Sequence, residues 1–368
     1  MSSLARRAAL SWARGRVTPQ RLWPALRAHG SLESLLSSGE EELSAILGSR
    51  DRAREVLRAS DDAEAERWAA RVEQTGIRLV TAFDPEYPKA LSEIADPPFL
   101  FFALGRLERL RLPAVAIVGS RDASRYGRDA AVRLARDLSA AGVAIVSGFA
   151  RGVDAAAHEA ALDGPGGTIA VLGCGLDVDY PREHARLKQR LAAEGLLVSE
   201  HAPGEEPRPQ NFPVRNRIIA GLSAGVVVVE ASRRSGSLIT ARLALDSGRD
   251  VFAVPGSIFS ATSEGSHALL KDGAILCRGA EDVLAELFPS VGAGEGPRGA
   301  ANPAAVGELS SEARRMLEAL SRDEALSAEE LALMLDLPAA TVLAGLFELE
   351  AAGLAAGDEG GRYGLHRR

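Results

Sequence analysis

The sequence predicts an α/β protein: a doubly wound, mostly parallel sheet flanked by an N-terminal helical module and a C-terminal winged helix. Three observations lead there. Apolar runs that do not alternate recur between 113 and 288, separated by helical stretches. Such runs are buried on both faces, and strand–helix alternation means parallel pairing. A Pro/Gly/Ala-rich stretch at 289–304 then reads as a linker. Beyond it, three helical patterns and a Gly-tipped hairpin follow in the order of a winged helix.

Taken in order, residues 1–75 read as short helices similar to SAM or helix-hairpin-helix modules. Thr18-Pro19 is a cap followed by proline at the first helical position. Leu22, Trp23 and Leu26 have helical spacing, and Gly30 ends the element. Further helical pieces run from Ser31, from Glu40 to Leu47 and from Arg50 to Leu57. Trp12, Trp23 and Trp68 fall at core positions of this module. Its charge is nearly balanced, which favours packing or interaction over DNA binding.

The domain at 76–288 opens with a lead-in strand or two around Phe99-Leu100-Phe101-Phe102, between proline turns. The core strands follow at 115–118, 143–146, 169–172, 196–198, 226–229, 251–254 and 274–276, with helices over Arg128 to Ala140 and Ile239 to Ser247. In the 305–368 module, Ser310 to Leu320 is amphipathic. Ser327 and Glu330 form a capping box, and Pro338 to Ala352 is a third helix stopped by Gly353.

Composition limits what such a fold can do. The 368 residues call for two or three domains at roughly 100–200 residues each. With 46% hydrophobic and 25% charged residues the chain is globular. Net charge is −7, so any nucleic-acid site is a local patch. Lys89, Lys188 and Lys271 are the only lysines, so cations are arginines, the better forks for phosphates. Cys174 and Cys277 are far apart and form no CxxC, which fits a reducing cytoplasm. Neither a signal peptide nor a membrane span is expected.

The chemistry gathers at the predicted strand ends. Gly119-Ser120-Arg121, Ser147-Gly148 with Arg151, Gly173-Cys174-Gly175, Ser235-Gly236-Ser237 and Pro255-Gly256-Ser257 each follow an apolar run. In an open parallel sheet, ligands bind beyond the carboxyl ends of the strands. Small residues admit a ligand to the backbone, and arginines add bidentate phosphate contacts. The competing reading is glycines that serve only tight βα turns. Gly173-Cys174-Gly175 lacks the third glycine of a dinucleotide fingerprint, and no Gly-Lys-Ser/Thr triplet exists.

The segment Asn211-Phe212-Pro213-Val214-Arg215-Asn216-Arg217 sets an aromatic beside two arginines. Stacking a base and clamping its phosphates requires that combination. The alternative is a core Phe with two solvated arginines. No metal site is expected, because the histidines show neither HxxxH nor HExxH. Asp154 and His158 stand four apart; a capping Asp and a packed His explain them better than an acid–base pair. No catalytic residue and no cofactor are expected.

These phrases resemble a family. Ala116 to Arg121 with Tyr126-Gly127, Ser147 to Asp154 with Ala157-His158, Gly175-Leu176-Asp177 with Tyr180-Pro181, Phe212 to Ser223, Val229-Glu230-Ala231, Ser235 to Ala241 and Val254-Pro255-Gly256 are similar, in order, to DNA-processing protein A (DprA, also called Smf). The resemblance implies a Rossmann-like, non-enzymatic protein that binds incoming single-stranded DNA. It also implies loading of a RecA-type recombinase in natural transformation, dimerisation through that domain, and a DNA pocket that includes Arg121, Phe212 and Arg217. His267 stands where the family pattern suggests Asn. A different class, the lysine-decarboxylase-like nucleoside-monophosphate phosphohydrolases, shares similar sheets. Its Pro-Gly-Gly-x-Gly-Thr-x-x-Glu loop is only superficially matched by Gly164 to Thr168. A third possibility is an adaptor that binds the recombinase and not DNA.

The winged helix sets fold analogy against charge. Residues 304–368 carry six arginines against twelve acidic residues, and none of the arginines lies between Asp323 and Gly361. Ala339, Ala340, Thr341, Ala344, Glu348 and Glu350 are assigned to the outer side of its third helix. Phosphate neutralisation dominates DNA affinity, so this module is expected to meet a protein instead.

Overall fold

The structure is a computed structural model. It describes Trp23, residues 28–31, 34–35, 37–59, 72, 74–289, 309–320, 326–352, 354–357 and 362–365. The readings at Thr18-Pro19, Trp12, Trp68 and most of the 289–304 stretch fall outside the described residues. The chain divides into two compact units, Met1–Gly294 and Glu295–Arg368.

The first unit is organised by one nine-stranded sheet. Its strands are β1 (Arg78–Thr81), β2 (Leu100–Gly105), β3 (Ala114–Val118), β4 (Ala144–Ser147), β5 (Thr168–Leu172), β6 (Leu196–Ser199), β7 (Gly225–Val228), β8 (Asp250–Ala253) and β9 (Ile275–Leu276). They lie in the order β1-β2-β6-β5-β4-β3-β7-β8-β9. The lead-in pair is antiparallel, and β2 joins β6 antiparallel. Every other pairing is parallel. The order reverses direction at β3, which neighbours β4 on one side and β7 on the other. This is the topological switch point where open α/β sheets bind ligands.

The apolar runs explain the layers. All residues of β3, β4, β5, β6 and β7 are buried. Helices cover both faces: α3 (Arg125–Ala140), α4 (Val153–Ala161), α5 (Ala185–Glu194), α6 (Asn211–Gly221), α7 (Ser237–Asp246), α8 (Glu264–Lys271) and α9 (Ala280–Leu287). They follow two short N-terminal helices, α1 (Glu40–Leu47) and α2 (Arg50–Ala59). One core layer joins Val115, Ile117, Leu134 and Leu138 with Phe252. A second, on the alternate residues of the same strand β3, joins Ala116 and Val118 with Ile218 and Ile219. Trp23 packs at the start of β2: its indole N–H donates to the Pro97 carbonyl at 2.8 Å, and its ring packs edge-on against Phe99.

Both cysteines are buried and unpaired. Burial pushes the Cys174 thiol up to about 11 and Cys277 to about 12.

The second unit contains α10 (Ser311–Ala319), α11 (Ala328–Leu335) and α12 (Ala339–Ala351). Its strands β10 (Leu326–Ser327), β11 (Ala355–Gly357) and β12 (Arg362–Leu365) form a sheet in the order β10-β12-β11. The Ser327–Glu330 capping box is formed in both directions. The sequence pattern announces the hairpin but not β10, which pairs antiparallel with β12. Ala313, Met316, Leu331, Val342, Leu346 and Leu349 make the core of this unit.

Candidate nucleic-acid interface

The carboxyl ends of β3, β4 and β5 bring the central phrases together. Ser124 caps α3 by accepting from the Gly127 N–H at 3.0 Å. The buried Glu230, after β7, accepts from the Ser124 N–H at 2.9 Å and its hydroxyl at 2.6 Å. The 119–124 turn that carries Arg121 is thereby tied to the neighbouring strand end.

Beneath this turn lies a buried polar cluster. Asp154 accepts from the Gly148 and Ala150 backbone N–H groups at 3.1 and 3.2 Å. It therefore fixes the turn before α4 and does not cap that helix as expected, because Gly152 stands at the cap and Asp154 is the second helical residue. A Cβ on Gly148 would sit 2.8 Å from both the Asp154 carboxylate and the Arg215 guanidinium, so only glycine fits between them. Arg215 donates from Nη1 to the Gly148 carbonyl at 2.7 Å and to the Val171 carbonyl. Burial outweighs the Arg215 charge and raises Asp154 above the usual carboxylate range. Burial likewise brings Arg215 down to about 10.

His158 is fully buried and packed, as the sequence reading favours. The Thr168 hydroxyl donates to the Ile145 carbonyl at 2.7 Å, so its 2.6 Å contact with His158 requires Nδ1–H as donor. Burial lowers His158 to about 3, with His184 and Arg215 adding repulsion, so the imidazole is neutral.

Above this cluster stands Phe212, half-buried at the start of α6. Its ring lies against Gly173, where an added Cβ would approach the ring to 3.0 Å. The Arg121 guanidinium is 5.8 Å from the ring centroid and that of Arg215 is 6.0 Å. The Tyr180 ring is 5.5 Å away, tilted by 39°. Arg121 and Tyr180 are exposed. Asn211 donates to the Gly173 carbonyl at 3.2 Å, which holds the start of α6 on the strand end. Two aromatic rings and an exposed guanidinium thus share one small surface. Its chemistry is stacking plus anion binding.

The other expected site residues separate by what they touch. Arg151 is exposed, with Nε 3.9 Å from Glu183. Gly119 and Ser120 are half-buried at the β3 end, and the Ser120 hydroxyl accepts from the Asp122 N–H at 3.2 Å. Ser235 and Ser237 bond to each other at 2.7 Å. Asn216 donates to the carbonyl of the exposed Gly236 at 3.4 Å and so tethers that turn to α6.

Three residues need correction. Arg217 is not a solvated phosphate clamp: it donates to Asp96 at 2.9 Å and to both Glu200 oxygens at 2.8 Å, and is 11% exposed. Burial lowers its pKa, but the two carboxylates outweigh that and raise it, and they take its Nε and Nη2 donors. Arg215 is buried under Phe212, so its role is to support the ring. The Ser147 hydroxyl is fully buried and donates to the Ile117 carbonyl at 2.6 Å. Periodicity cannot reveal any of this, because the acidic partners are distant in sequence. Tyr180 is the residue sequence reasoning missed. Its signal was an aromatic-proline pair shortly after Gly173-Cys174-Gly175.

A sequence model of the family described as DNA recombination-mediator protein A matches residues 78–288. The chain belongs to the DprA/Smf family. A DprA winged helix domain matches residues 300–361. The DNA processing protein DprA of Streptococcus pneumoniae is 51% identical over 203 residues, 55% of this chain and 72% of that protein. DprA of Bacillus subtilis is 41% identical over 222 residues, 60% of this chain and 75% of that protein. The X-ray structure of S. pneumoniae DprA superposes with a TM-score of 0.68 at 39% identity, covering 78% of this chain and 98% of that one. DprA of Helicobacter pylori, described for its unique single-stranded DNA binding mode, gives 0.53 at 32% identity, covering 58% and 96%.

Proposed function

We propose that this protein is a non-enzymatic single-stranded DNA-binding member of the DprA/Smf family. It acts in the cytoplasm as a homodimer. It holds incoming strands and passes them to a RecA-type recombinase during transformation and recombination. The observation that carries this reading is the Phe212 ring at the β5 end, with Arg121 and Tyr180 exposed beside it. Aromatic stacking is sequence-tolerant and requires unpaired bases, while the guanidinium supplies the phosphate contact. The binding described for the H. pylori relative supports the same chemistry.

Two observations disfavour the phosphohydrolase alternative. Gly164 to Gly167 lead into the amino end of β5, opposite the cleft, where the Pro165 and Gly166 carbonyls accept from Arg109 at 3.2 and 2.7 Å. Asp154 and His158 are both buried and bond to different partners, Asp154 to the Gly148 N–H and His158 to Thr168, and not to each other. The winged helix, with its acidic balance, does not read DNA in this account.

The test is equilibrium binding of single-stranded and duplex oligonucleotides at two salt concentrations. Single strands should win, with a log–log salt slope of about −0.7 per neutralised phosphate. Equal affinity for duplex contradicts the reading, and turnover of a nucleoside monophosphate supports the alternative.

A further inference from the structure

The cleft leaves unexplained the most exposed aromatic among the described residues. Phe259 is 93% exposed and its neighbour Ile258 82%. They tip the 255–260 loop that follows β8. This loop is anchored at both ends. The Tyr126 hydroxyl donates to the Pro255 carbonyl at 2.7 Å, and His267 donates from Nε2 to the Gly256 carbonyl at 3.1 Å. The Phe259 N–H donates to the Ser257 hydroxyl at 3.2 Å, and the Ser260 and Thr262 hydroxyls meet at 2.8 Å. Thr262 donates in turn to Glu230 at 3.1 Å, the carboxylate that also fixes the Arg121 turn. An aromatic presented to water on a clamped loop is preorganised for a partner, since little ordering remains to be done on binding.

The position of the loop bears on what that partner is. β5, β4, β3, β7 and β8 are consecutive and parallel, so their carboxyl ends form a line. Phe212 flanks the β5 end and the Phe259 loop leaves the β8 end. Four interstrand steps separate them, roughly 19 Å at about 4.8 Å per step. Arg121 stands between them at the β3 end, and Arg233 and Arg234, both exposed, follow β7. Arg233 meets Glu264 at 3.2 Å across open solvent, a pairing that a phosphate can displace. Aromatic, cation, cation, aromatic is the pattern of a single-strand track.

We propose that a single-stranded nucleic acid held at Phe212 continues along the carboxyl ends of β4, β3, β7 and β8 and stacks a base on Phe259. At the ~3.4 Å spacing of stacked nucleotides the track takes about six of them. The proposal rests on the single-strand reading of the cleft and extends it.

The experiment uses the full chain, a thymidine trinucleotide, too short for the track, and a thymidine dodecanucleotide. Light scattering follows the oligomeric state. Phe259→Ala should weaken the dodecanucleotide about 5- to 150-fold, the range for one stacked base, and leave the trinucleotide unaffected. Phe259→Trp should restore binding. Unchanged dodecanucleotide affinity overturns the track, as does an equal loss for both lengths. A changed oligomeric state overturns it by assigning Phe259 to a contact between copies. If Phe212→Ala leaves both affinities unchanged, the cleft reading itself falls.

Discussion

The strand-end cleft and the winged helix both show apolar side chains to water, in opposite electrostatic settings. In the cleft, Phe212 and Tyr180 stand beside Arg121, over a buried cluster that fixes the turn before α4. In the winged helix, Leu333, Met334, Leu343 and Phe347 are exposed on α11 and α12. No cation occurs between Asp323 and Gly361. Glu348 there serves structure: it accepts from the Ser310 N–H at 2.7 Å and its hydroxyl at 2.6 Å. Fold analogy and charge therefore point to different modules, and the fold alone does not decide between them. A winged helix usually suggests a duplex reader, yet this one sets six arginines against twelve acidic residues over 304–368.

The largest expected effect is on the buried cluster beneath the cleft. Arg215→Leu should cost about 1–3 kcal/mol, because the buried Gly148 and Val171 carbonyls lose their donor. Urea denaturation reads this loss. Unchanged stability would mean that the cluster does not hold the cleft.

Acid sharpens the same point. His158 is lowered from an ordinary 6.5 to about 3, so its contribution is complete above 6.5 and is lost as pH falls towards 3. The loss is about 1.4 kcal/mol per pH unit across that window. His158→Gln should flatten this part of the pH–stability curve, measured by denaturation at several pH values. An unchanged curve would contradict the neutral-imidazole assignment.

A smaller effect concerns Arg121 alone. Arg121→Ala should reduce the single-strand salt slope by about 0.7, one phosphate contact, and leave thermal stability unmoved. An unaltered slope would remove Arg121 from the interface.

How much of this was legible beforehand follows from what sequence patterns encode. The core strands announced themselves within a residue or two, because fully buried parallel strands leave unbroken apolar runs. The capping box at Ser327 is equally local. The meeting of strand ends was legible too, since the Gly- and Ser-bearing phrases follow the runs of β3, β4 and β5, whose carboxyl ends lie side by side. The fates of the arginines were not. Arg121, Arg215 and Arg217 look alike in sequence, but Asp96 and Glu200 claim Arg217, and the Gly148 and Val171 carbonyls claim Arg215. Such pairings depend on side chains brought together only by the fold. The outer face of α12 was half-read: its alanines and glutamates were assigned there, while Leu343 and Phe347 were overlooked.

The most direct test of the central claim is single-strand affinity of the full chain, compared between Phe212→Ala and Phe347→Asp. Phe212→Ala should lose roughly 1–3 kcal/mol, one stacked base, while Phe347→Asp stays within about threefold of the parent protein. An undiminished Phe212→Ala beside a Phe347→Asp weakened a hundredfold, about 2.7 kcal/mol, would place the binding site in the winged helix and contradict it.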